Sequence, residues 1–175
     1  MKEFWKSEWK GIIFTIILGC LLHFTYELSE RNAFAALFSA VNESTWEHLK
    51  LLFFPYVIFA LIRRFDSTKL PAVYSTANFL GVLSGLLFIP AVFYFYTAIL
   101  GSHYPAVDIS IFVLSVILSY FVSYTISVNN KPCFNQFSIL LLTLIALIFF
   151  LFTFFPPQTP LFLDPVSGSY GIFGS

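Results

Sequence analysis

The sequence predicts an all-α integral membrane protein, with about five transmembrane helices and a short interfacial or re-entrant helix between the first two. Composition is the first reason. The chain is 58% hydrophobic and 10% charged, with a mean hydropathy of +0.85, whereas soluble domains run at roughly 45–50% apolar and about 25% charged. Distribution is the second: the stretches 11–22, 51–62, 79–100, 111–128 and 137–155 carry almost no charge, and the later ones approach the roughly 20 residues that a spanning helix needs. At 175 residues the chain reads as a single membrane domain, 1–175. Its zero formal net charge leaves no electrostatic footprint for a nucleic-acid partner.

The first span, about 9–28, follows Lys2, Lys6 and Lys10. Basic residues before an apolar run suggest a signal peptide, and Ile17-Leu18-Gly19-Cys20 approaches a lipobox. Glu3 and Glu8 in the charged region and Leu18 two residues before the cysteine argue against it, so an uncleaved first helix is expected. The next stretch is too short to cross, but Ala33, Phe34, Leu37, Phe38 and Val41 recur at helical spacing and predict an interfacial helix over about 30–42. A second span over about 45–65 reaches about 30 Å only if the polar turn Trp46–Lys50 belongs to it. The polar run VNESTWEHLK, residues 41–50, is then the mouth of a spanning helix.

Spans three to five, about 74–98, 108–128 and 135–155, read mostly as scaffold. Ala77, Gly81 and Gly85 form a small-residue stripe, and Ser115, Ser119, Ser123 and Ser127 repeat every fourth residue, both suited to close helix packing. Asn78 reads as a helix–helix hydrogen bond, and Pro55 and Pro90 as kinks. The tail, 156–175, is rich in Pro, Gly and Ser but keeps Leu161, Phe162, Leu163, Tyr170, Ile172 and Phe173, so it is expected to fold back over the mouth. Cys20 and Cys133 fall at different depths, and no disulfide is expected between them.

The positive-inside bias predicts a cell-membrane protein with a cytoplasmic N-terminus and an extracytoplasmic C-terminus. Lys2, Lys6, Lys10, Arg63, Arg64, Lys69 and Lys131 then lie inside, and only Arg31 and Lys50 outside. The same arrangement gathers His23, Glu27, Glu30, Glu43, Glu47, His48, His103, Asp108 and Asp164 at the outer end. Ser44 and Glu47 form a capping box. In an alternative register Asn42 caps the helix, Val41 and Trp46 staple it, and Glu43 and Glu47 share one face. Neither register explains every polar residue. Lys50 and His23 lie about 9 Å and about 7 Å inside their helix ends, a depth at which ionisable groups face a bundle interior or wet cavity.

Three chemistries suit this cluster. Lys50 with Glu27 or Glu47 makes a structural ion pair. His23, Glu27, Glu43, Glu47 and His48 offer nitrogen and oxygen ligands for zinc or a similar divalent metal. Without metal, Glu43, Glu47, His48 and His23 are the candidate catalytic acid and base groups. Glu27, Asn42, Trp46, Lys50 and Asp164 are candidate binding residues, with Lys50 an electrostatic partner for an anionic headgroup. Asp164-Pro165 otherwise reads as turn chemistry and His103 as a solvated loop residue.

The segments HFTYELSERNAFAALFSAVNESTWEHLKLLFFP, 23–55, and PLFLDPVSGSYGI, 160–172, resemble a family of small multi-pass bacterial membrane proteins classed as a domain of unknown function. The resemblance implies a bacterial plasma-membrane protein and carries no activity, cofactor or catalytic residue with it. A looser likeness is to membrane-embedded zinc hydrolases of the alkaline ceramidase type. Those have seven spans and histidines near the C-terminus, which this chain lacks, so the likeness is one of analogy.

Three function classes follow. The first is a site at the outer mouth that acts on or binds a membrane lipid or other amphiphilic small molecule. The second is a transporter, disfavoured because spans three to five have no ionisable residue in their cores. The third is a structural, partner-binding protein whose polar cluster is a capped, ion-paired joint.

Overall fold

The computed structural model describes residues 2–66, 70–129 and 134–172. Lys69, Lys131, Cys133 and Phe173 lie outside the described residues. The helices are α1 (Lys2–Leu28), α2 (Ala33–Ala36), α3 (Thr45–Asp66), α4 (Tyr74–Leu100), α5 (Pro105–Asn129) and α6 (Asn135–Phe154). All but α2 are long and apolar enough to cross a membrane, which makes the chain an all-α protein with five candidate spans.

The bundle buries polar side chains within its apolar core and exposes apolar ones. Glu8, Thr15, Lys50, Ser119 and Thr153 are buried, whereas Ile13, Ile17, Leu21 and Phe24 line an exposed face of α1 and Phe121 and Leu147 face outward on α5 and α6. Water would penalise that arrangement, but lipid does not, since its chains are as apolar as leucine. The two central helices, α4 and α5, share the largest interface. A Cβ at Gly81 would stand 2.6 Å from Ser119 O and 2.9 Å from Ser123 Cβ, so the glycine stripe lets one backbone touch the other along the serine stripe.

Several boundaries differ from the sequence expectation. Helix α1 starts at Lys2 rather than about residue 9, and its Glu8 is buried against Arg63 at the end of α3. That ion pair puts the N-terminal part of α1 beside the C-terminal part of α3 and favours extending the helix to include the carboxylate. The interfacial helix of 30–42 is reduced to the single turn of α2. Glu30 and Arg31 both adopt left-handed φ, 57° and 60°, and end α1. Asn32 then caps α2, accepting from Phe34 N at 2.8 Å. Beyond it, Ala36 O accepts a bond from Lys50 Nζ, which occupies a carbonyl that a longer helix would use. Asn78 bonds within its own helix, Nδ2 donating to Tyr74 O at 2.8 Å, rather than across to a neighbour. Helices α3 and α4 run through Pro55 and Pro90 without a break.

Gly81→Val should lower the midpoint of thermal unfolding in detergent, by the equivalent of about 1–3 kcal/mol for overpacking. Leu87→Val, on the exposed face of the same helix, should leave the midpoint within a degree or two. Equal midpoints for the two variants would contradict the tight α4–α5 contact.

Candidate functional site

The start of α3 uses both predicted caps at once. Ser44 Oγ accepts Glu47 N at 3.4 Å, while Asn42 Oδ1 accepts the N–H of Ser44 at 3.0 Å. The Glu47 carboxylate closes the turn on Val41 N, at 3.1 Å, rather than on the cap residue itself. Because the helix begins at Thr45, Glu43 stays outside it and does not share a face with Glu47. The polar run therefore divides into two groups that point in different directions.

One group faces inward. Lys50 is completely buried, and Nζ lies 2.5 Å from Glu47 Oε2, 2.8 Å from Ala36 O and 2.9 Å from Thr153 Oγ1. An ammonium has three protons to donate, and these three acceptors use them all. Lys50 is a joint between α2, α3 and α6 and has no donor left for an anionic headgroup. Its partner Glu47 is likewise buried and does not line the cavity that the histidines line.

The other group faces a cavity of about 380 Å³. Thr45, His48 and Leu51, three residues apart along α3, form one wall. The remaining walls come from Gly19 and His23 on α1, Ile89 and Phe93 on α4, and Ile109, Ile111 and Phe112 on α5, with Pro165 and Val166 of the tail at the rim. At the mouth, Glu43 Oε2 lies 3.4 Å from His48 Nε2 and 3.9 Å from His23 Nε2. One ligand atom from each of these residues falls within 4.8 Å of the others. The imidazole rings meet edge to face, with centroids 5.1 Å apart. His48 Nδ1 stands 2.9 Å from Ser44 O. A carbonyl only accepts, so Nδ1 carries a proton there and Nε2 is the ring nitrogen turned toward the carboxylate.

Other predicted residues lie elsewhere. Glu27 is exposed and pairs at 3.4 Å with Arg31, just beyond the end of its helix, so it does not join His23, Glu43 and His48. Asp164 is buried in the tail, where its carboxylate accepts Val166 N at 2.9 Å and Ser167 Oγ at 2.6 Å, which is turn chemistry. Trp46 packs between Phe149 and Phe162, each with a centroid 4.7 Å away, and its backbone N–H donates to Leu161 O at 3.0 Å. It clasps the folded-back tail. Asn42 Nδ2 reaches Gly171 O at 3.5 Å and serves the same clasp.

Two cavity residues carry more than their sequence context suggested. His103 Nδ1 stands 3.2 Å from Asp108 Oδ2, Tyr96 donates to the other carboxylate oxygen, and Tyr104 N donates to Tyr96 at 3.1 Å. His103 thus lines the cavity with a ring nitrogen held by a carboxylate, rather than standing free in a loop. The short turn from Gly101, left-handed at φ 74°, to Pro105 was the available signal, because it returns the chain directly beside the end of α4. The cavity lining includes neither Arg63 nor Arg64.

A family model covers residues 1–172. The chain belongs to the family of unknown function DUF6512. No curated protein and no solved structure matches it. Membership of DUF6512 thus supplies no activity for the site, which has to be argued from its geometry.

The buried pair gives a test of the inward group. Glu47→Gln and Lys50→Met should each destabilise the fold by about 3–5 kcal/mol, because each leaves one buried charge without its partner. Thermal unfolding of the double variant Glu47→Leu/Lys50→Met should recover at least half of that loss. Single variants as stable as wild type would remove the joint from the argument.

Proposed function

We propose that this protein is a membrane-embedded, metal-dependent hydrolase acting on an amphiphile. Its divalent cation, zinc by ligand type, is held by His23, Glu43 and His48. The observation that carries this is the convergence of three ligand atoms. Glu43 Oε2 stands 3.4 Å from His48 Nε2 and 3.9 Å from His23 Nε2, too far for good hydrogen bonds but spaced to surround one ion. Bonds of about 2.0–2.1 Å in a tetrahedral site put neighbouring ligand atoms about 3.3 Å apart, near the separations found here. The Nδ1–H to carbonyl bond of His48 is the outer support that metal-binding histidines usually have.

Two histidines and one carboxylate leave a fourth position open, which distinguishes catalytic from structural zinc sites. A cation there supplies a Lewis acid that polarises a carbonyl and lowers the pKa of water. In the hydrolysis, water oxygen bonds to the carbonyl carbon, the bond to the leaving oxygen or nitrogen breaks, and a proton passes from the water to the leaving atom. His103, oriented by Asp108 at the same cavity, is the group suited to carry that proton. The bias of Lys10, Arg63 and Arg64 to the opposite end supports an extracytoplasmic mouth. The ion-paired joint describes Glu47 and Lys50, and it coexists with this site rather than competing with it.

Protein purified without chelator should carry close to one zinc per chain by elemental analysis. Glu43→Gln and His48→Ala should lose it while remaining monodisperse, and Glu27→Gln should keep it. A folded wild type free of bound metal, in buffers supplemented with micromolar zinc, would overturn the reading.

A further inference from the structure

We infer that the cavity holds one hydrocarbon chain, so that the substrate is a single fatty acyl chain joined to a small polar head. This rests on the proposed metal site for the position of the head, and on the cavity alone for the chain. Polar groups occupy only the mouth, where His23, Glu43, His48, His103 and Asp108 gather. Below them the walls are aliphatic and aromatic. At Gly19 a Cβ would stand 2.6 Å from Leu51 O and 2.7 Å from Phe112 Cζ, so α1 seats directly on its neighbours along this wall.

Size decides between one chain and two. At about 30 Å³ per water-sized unit, a cavity of 380 Å³ seats roughly a dozen methylenes. A membrane phospholipid has two longer chains and needs more than twice that space. Depth agrees: Ile89 in the wall lies 11 residues before the end of α4 at Leu100, roughly 16 Å along the axis. A largely apolar pocket of this volume with a few polar groups at one end is the usual form of a small-ligand site. A chain inserted from the mouth leaves its carbonyl beside His23, Glu43 and His48, which is where the bond to be cleaved must lie.

The probe is a series of alkanoyl hydroxamates of four to sixteen carbons, titrated against zinc-loaded protein in nanodiscs of diacyl phospholipid. Alkyl detergents are avoided because they are single-chain amphiphiles themselves. Affinity should rise with each added pair of carbons, level off near twelve, and reach one probe per chain. Ile89→Trp, which fills the wall, should weaken dodecanoyl hydroxamate at least tenfold with zinc content unchanged. Leu87→Trp, on the exposed face of the same helix, should bind like wild type. Equal affinity at four and twelve carbons, continued gain to sixteen, or indifference to Ile89→Trp would each overturn the single-chain proposal. If wild type carries no zinc, the metal reading fails by itself. Dodecanoate then replaces the hydroxamate: binding that Ile89→Trp weakens supports the chain site, and binding that it leaves unchanged, or none, overturns it.

Discussion

An ammonium ion sealed in an apolar bundle constrains the rest of this structure. Lys50 is completely buried, out of contact with bulk solvent. Removing such an ion from water costs several kcal/mol even after relaxation. The cost is offset only if every proton finds an acceptor and the charge finds its opposite. Glu47 supplies the charge, Ala36 O and Thr153 Oγ1 the remaining acceptors, and these come from α2, α3 and α6. The three segments are therefore held in one register. Ala36 O, at the last residue of α2, accepts from Lys50, and the following chain doubles back to present Val41 N to Glu47.

That return path is what delivers Glu43. Successive residues of a helix rotate by about 100°, so Glu47 and Lys50 share a side while Thr45, His48 and Leu51 share another. Fixing the first pair inward turns the second set toward α1 and α5. His23 then meets His48 across the α1–α3 contact. Glu43 is held just ahead of the helix by the Asn42 turn, and its carboxylate falls between the two rings. The joint and the cavity site are two faces of one helix start, and neither can be rearranged without the other.

The spans were legible because length and charge depletion are properties of a local window, and four of the five starts and ends lie within a few residues of expectation. What could not be read were features set by contacts between distant segments. Helix α1 extends to Lys2 alongside the buried contact between Glu8 and Arg63, 55 positions away in sequence. The division of the VNESTWEHLK run depended on which acid would take Lys50, and spacing alone allows both Glu27 and Glu47 as partners. Glu47 takes it, and Glu27 pairs with Arg31 just beyond the end of α1. The apolar walls at Gly19, Phe93 and Phe112 had no sequence signal at all, since every span is rich in such residues.

The two carboxylates differ in what encloses them. Glu47 is buried and its Oε2 accepts from both a lysine and a backbone N–H, which ties it to the joint. Glu43 is half exposed, at 49%, and faces two imidazole nitrogens at distances too long for direct hydrogen bonds of good geometry. A carboxylate held near but not against two nitrogens is poorly arranged as an ion pair and well arranged as one corner of a coordination site. Burial therefore separates the two roles: the enclosed acid stabilises the bundle, and the acid at the rim, which gains least from the protein alone, is the one left with ligand capacity.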